Sequence, residues 1–134
     1  MKIRWLRLIP AAIVAELIPI IALIAIVALF GPGDPAEAEA YATRLGPWVG
    51  PLGGALATFL LAIWVARPLA TGHVLHGALL GVLVALLDAG LLVAGSTPFQ
   101  WLFVVSGLGR IVAGSLGGYL ASRRSPADSS NESA

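Results

Sequence analysis

Cysteine is absent from the 134 residues, which excludes disulfides and thiolate metal sites and leaves the redox compartment unread. Charge is scarce: Asp, Glu, Lys and Arg make up 11% of the chain, where soluble domains carry about 25%. So few charges cannot clothe a water-facing surface. The formal net charge is +1 and the basic residues form no patch, so the electrostatic footprint of a nucleic-acid binder is missing. There is no phosphate-binding glycine loop, no nucleophile elbow and no zinc spacing. We therefore expect no enzyme activity, no catalytic residue, no cofactor and no metal.

What the chain does have is apolar length. Hydrophobic residues make up 58% of it and the mean hydropathy is +0.92. A spanning helix needs roughly 20 apolar residues, and four such runs are legible, over about 8–30, 48–66, 73–95 and 99–121. The expected fold is an all-α, four-helix transmembrane bundle occupying 1–124, followed by a small, polar, disordered cytoplasmic tail over 125–134. The N-terminal run of about 23 residues exceeds the 7–15 of a signal peptide and reads as a retained span. Asp34 and Pro35 form an N-cap and first-turn pair, predicting a separate short amphipathic surface helix over 35–45 in the first external loop. Pro10 and Pro19 each remove a backbone hydrogen bond and predict a kink around Glu16.

Orientation follows from the basic residues. Lys2, Arg4, Arg7, Arg67, Arg123 and Arg124 fall on one side of the four runs, and Arg44 on the other beside Asp34, Glu37 and Glu39. The positive-inside rule then puts both termini in the cytoplasm. Trp5, Trp48, Trp64 and Trp101 all sit at expected interfaces, as an aromatic belt requires.

Small residues recur every fourth position and predict close helix contacts. Gly50 and Gly54 lie on such a stripe in the second run, Gly77 and Gly81 in the third, Gly114 and Gly118 in the fourth. Leu80 is expected to face outward. The lipid bilayer is one partner; a second copy of the chain or another membrane protein is the other.

Three ionisable residues interrupt the apolar runs: Glu16, Asp88 and Arg110. A charge inside a bilayer costs a few kcal/mol unless it is paired or wetted. At about 1.5 Å per residue they lie roughly 21, 10 and 18 Å from the outer ends of their spans. Arg110, with five donors, can bridge two carboxylates. Three readings stand side by side: a structural ion-pair network fixing helix register, ranked first, a proton- or ion-coupled site, and one or more charges that are wetted or snorkel to the interface. His73 and His76 share a face at the start of the third run, but no further ligand is within reach, so interfacial hydrogen bonding is expected of them.

Two resemblances add to this. The stretch from Gly72 to Leu87, with His76-Gly77, Leu79, Gly81 and Leu83 in an HGxLxG-type pattern after Arg67, resembles the third helix of uncharacterised small four-span bacterial membrane proteins. It implies the four-span fold and topology and a location in a bacterial inner membrane, and supplies no activity. Residues 12–18 (AIVAELI) are similar to the first helix of small multidrug resistance transporters, in which a membrane-embedded glutamate exchanges protons for cationic drugs. Only Glu16 carries over, and the long acidic first loop and the arginine of the fourth run depart from that pattern. The leading functional expectation is a structural or accessory subunit of a larger membrane assembly. The alternative is a small proton-coupled transporter or ion-conducting oligomer using Glu16 with Asp88 and Arg110.

Overall fold

Runs rich in Leu, Ile, Val and Ala that enter lipid must satisfy their backbone polar groups internally, which leaves the α-helix as the available element. The computed structural model describes residues 2–124, so the expectation for 125–134 lies outside the described residues. Four helices follow in order: α1 (Trp5–Phe30), α2 (Pro35–Ala66), α3 (His73–Ala94) and α4 (Trp101–Arg123). Among the described residues there is no strand. All four helices are long and apolar enough to cross a membrane. They run alternately up and down, so the N-terminus, the α2–α3 turn and the end of α4 share one end, called here the termini end. The α1–α2 and α3–α4 turns share the other, the distal end.

The second helix departs from expectation. Residues 35–45 do not form a separate surface helix but continue unbroken into the second span, making α2 a single helix of 32 residues. Asp34 does cap it, accepting hydrogen bonds from the amides of Ala36 and Glu37 at 2.9 and 3.1 Å. Pro47 and Pro51 lie inside the helix without ending it. A proline ring clashes with the Cβ of the residue before it when that residue is helical, and here each proline follows a glycine, Gly46 and Gly50. The first turns of α2 run beside the last turns of α1, where Leu23, Val27 and Ala42 border a shared cleft. Helix α1 is likewise continuous through Pro10 and Pro19.

Helices α1 and α4 occupy opposite corners of the bundle. Each packs on both α2 and α3, and α2 and α3 also touch, but α1 and α4 make no close approach. The α3–α4 pair is the tightest. A Cβ added to Gly77 would strike the Gly114 carbonyl, one added to Gly114 the Gly77 carbonyl, and one added to Gly118 the His73 carbonyl. At Gly81 it would lie 2.5 Å from the Arg110 carbonyl oxygen and 2.6 Å from the Ile111 Cα. These pairings set an antiparallel register in which residue 73 faces 118, 77 faces 114 and 81 faces 110. Gly54 is also in contact, but Gly50 is not: nothing lies within 4 Å of its added Cβ, so its expected packing role is corrected.

Leu80 is fully buried, against the expectation that it faces outward. The buried residues of α3 are His73, His76, Gly77, Leu80, Gly81 and Val84. Their spacing of three and four residues follows the 3.6-residue turn, whereas a stripe read strictly every fourth residue drifts off that face. The main core is built from small and medium side chains, among them Leu8, Ala12, Ala15, Ala57, Ala62, Leu80 and Val84. At the termini end, the Arg4 amide donates to His76 Nε2 at 3.4 Å, and His76 Nδ1 lies 2.9 Å from the Gly72 carbonyl oxygen. With Nδ1 as donor and Nε2 as acceptor, the neutral ring ties the N-terminal arm to the start of α3. Gly72 itself has φ 76°, a left-handed conformation that glycine adopts without steric cost.

Candidate functional site

Arg110 sits in the buried stripe of α4, Ser106–Arg110–Gly114–Gly117, and is 2% exposed. A helical Cβ leans toward its own helix N-terminus. For α4 that is the distal end; for α3 it is the termini end. Arg110 therefore leans toward Asp88, and Asp88 leans back toward Arg110, which closes the seven-residue offset between Gly81 and Asp88. The Arg110 Nη1 atom lies 2.8 Å from Asp88 Oδ2 and 3.1 Å from Glu16 Oε2.

The second of those contacts crosses the bundle. Because α1 and α4 do not pack together, the guanidinium must pass between α2 and α3 to reach Glu16. Gly54 provides the passage: a Cβ there would lie 2.7 Å from both Arg110 Nε and Nη2. Thr58, fully buried, folds its hydroxyl back onto the Gly54 carbonyl at 2.7 Å, so it adds no competing polar group. On α1, Glu16 lies in the buried stripe Ala12–Ala15–Glu16–Pro19, and Pro19 packs on Gly53.

The three residues singled out in the sequence are thus one cluster, with a single guanidinium between two carboxylates. Its contacts are close but poorly directed. Arg110 Nη1 and Nε and Glu16 Oε2 are buried without a hydrogen-bond partner, so the pairing is a matter of proximity rather than aimed N–H donors. The two carboxylates also differ in setting. The Glu16 side chain is 10% exposed and that of Asp88 22%.

Asp88 owes its exposure to a cavity of about 340 Å3. Helix α2 contributes Gly46, Pro47, Gly50 and Pro51 to its wall, the α3–α4 turn Thr97 and Gln100, and Asp88, Ser106 and Arg110 line it from α3 and α4. It lies at the distal end, and no residue of α1 lines it. Proline lacks an amide hydrogen, so Pro51 leaves the Pro47 carbonyl without its helical donor. The Ser106 hydroxyl makes no hydrogen bond, whereas Ser115 donates to the Ile111 carbonyl at 2.8 Å. The cavity thus offers uncommitted oxygen acceptors next to a carboxylate.

Sequence reasoning missed this cavity. Its signals were present, in the Gly-Pro pairs at 46–47 and 50–51 and in Ser106 one turn before Arg110, but nothing in the sequence places α2 opposite Asp88. His73 and His76 stand apart from the cluster, at the start of α3, and among the described residues no group of His, Cys, Asp and Glu is arranged to hold a metal ion. No family model, curated protein or solved structure matches the chain.

Proposed function

We propose that the protein is a small multi-pass protein of the bacterial cytoplasmic membrane, both termini inside, whose buried cluster handles protons or small cations in a transporter or ion-conducting oligomer. One observation carries this reading: Asp88 joins a cross-bundle ion cluster to a distal cavity. Glu16 lies at the enclosed end of that cluster and Asp88 at the open end, with Arg110 between them. Two carboxylates to one guanidinium leave an acidic group in excess when all three ionise, which suits uptake of a proton or a monovalent cation. The incomplete hydrogen bonding of Arg110 argues in the same direction, since a buried network kept only for stability is expected to satisfy its donors.

The test is ion flux in proteoliposomes containing a trapped pH indicator. An imposed potential should drive proton movement in the intact protein, and Glu16→Gln or Asp88→Asn should remove it. Flux equal to that of empty vesicles would leave the second reading, a structural or accessory subunit of a larger assembly. That reading is favoured by the seating of Arg110 against Gly54, which clamps α4 to α1 across the bundle, and native co-purification of a membrane partner would support it.

A further inference from the structure

The α3–α4 pair is held together by glycines near the termini end and opens toward the distal end. At Gly77, Gly81, Gly114 and Gly118 backbone meets backbone, whereas at Gly107 an added Cβ would make only an ordinary 3.5 Å contact with the Ala85 side chain. Beyond that point a second cavity of about 380 Å3 lies between the two helices, lined by Ala85, Ala89, Val93, Val104, Gly107 and Leu108 among others. Its lining is almost wholly aliphatic and aromatic, and Ala89, Val93 and Leu108 are exposed on the outside of the bundle. Leu92, Thr97 and Phe103 line both this groove and the polar cavity. The groove and the Asp88 cavity are therefore neighbours that share Leu92, Thr97 and Phe103 as a common wall.

We propose that groove and cavity form one binding site, entered sideways from the membrane past Leu92 and Phe103, for a single-chain amphiphile with an ammonium head. The head meets Asp88, and the chain lies in the groove over Ala85, Ala89 and Gly107. Charge selects the head: Asp88 is the exposed charge of the cluster, Arg110 is 2% exposed and already faces two carboxylates, and an anionic head would meet the excess carboxylate. An ammonium has three donors, and the cavity is lined by Asp88, Ser106 and Pro47, whose carboxylate, hydroxyl and carbonyl oxygens are acceptors. Depth selects a compact head. Asp88 is six residues below the end of α3 at Ala94, roughly 9 Å. An ammonium joined directly to an alkyl chain can slide in with its chain. The amine of a phospholipid headgroup stands outside its own phosphate and would have to carry that anion past Asp88. The proposal rests on the reading of Asp88 as an ion-handling group.

The experiment uses full-length protein in phosphatidylcholine nanodiscs and a dodecylammonium probe with a diazirine near mid-chain, with adducts mapped by mass spectrometry. Adducts should concentrate on 85–93 and 103–108. Asp88→Asn should lower them about tenfold, the scale of one lost charge-assisted hydrogen bond. Ala89→Trp, at an exposed position, should fill the groove and lower them comparably. Dodecylammonium should compete; dodecyl sulfate should not. Adducts spread evenly over lipid-facing positions, or unchanged by Asp88→Asn, would overturn the proposal. So would Asp88-dependent labelling indifferent to Ala89→Trp, because the chain would then lie elsewhere. The proton-flux assay reports separately. Flux that needs Asp88 alongside labelling that does not would defeat this inference alone. Labelling that needs both residues without flux would defeat the proton reading alone.

Discussion

Arg110 faces Asp88 and Glu16 at 2.8 and 3.1 Å, and removing it strands two carboxylates in an apolar bundle. Loss of one partner from a buried ion pair costs about 3–5 kcal/mol, while replacing the whole set by neutral groups is often tolerated. Arg110→Leu should therefore unfold at lower temperature than the wild type in detergent. The triple variant with Glu16→Gln and Asp88→Asn should recover most of the loss. An Arg110→Leu protein that melts with the wild type would dissolve the idea of a buried network. Two glycines give a finer comparison. Gly54→Ala places a methyl 2.7 Å from the guanidinium, so Arg110 must shift, at about 1–3 kcal/mol for overpacking. Gly90→Ala, on an exposed face of α3, meets nothing within 4 Å and should lose no stability. Equal losses at the two positions would mean that Arg110 is not seated on Gly54. Glu16, Asp88 and Arg110 were legible in the sequence because a charge in an apolar run is costly unless something polar receives it. Their division into an enclosed Glu16 and an open Asp88 was not legible, since it depends on which helix flanks each one.

At the scale of the elements, the α3–α4 contact should be the least forgiving of added volume. Gly77→Ala and Gly114→Ala each push a methyl into the opposing backbone, which cannot rotate away, so each should cost about 1–3 kcal/mol. Because both break the same contact, the double variant should cost less than the sum of the two. Gly109, with nothing within 4 Å of an added Cβ, is the control: Gly109→Ala should be neutral or stabilising by about 0.5–1 kcal/mol. Unfolding in mixed micelles reads all four, and equal tolerance at 77, 114 and 109 would reduce the glycine stripe to composition. The Gly-Pro pairs of the long α2 at 46–47 and 50–51 favour a break when read locally, yet α2 runs through them, as α1 runs through Pro10 and Pro19 after Ile9 and Ile18. Helix propensity is a weak prior that tertiary packing against α1 overrides.

For the whole molecule, the six-to-one distribution of basic residues outside the apolar core predicts termini inside and the 34–44 segment outside. Glu37→Cys should label with a membrane-impermeant maleimide from the outer side of intact cells, and Ser129→Cys only after lysis. Outside labelling at 129 would invert the topology, and with it the direction in which the Asp88 cavity opens. That direction bears on function, because a cavity facing the outer side would load from there and release inward only through a rearrangement that exposes Glu16. Sequence alone ranks the structural reading ahead of the ion-handling one; the opposite order proposed above rests on the cavity at Asp88.

The sequence by itself determined the helical class, the number of helices and the identity of the charged residues. These follow from apolar run length and from the cost of a charge in lipid, which are local properties of the chain. Only the tertiary structure decided that α1 and α4 stand at opposite corners, that Gly54 opens the way for Arg110 between them, and that Asp88 borders a cavity while Glu16 does not. Those facts come from the crossing and register of helices, set by backbone contacts such as Gly77 with Gly114. Residues far apart in sequence meet there, and no local pattern records which of several small-residue faces will pair.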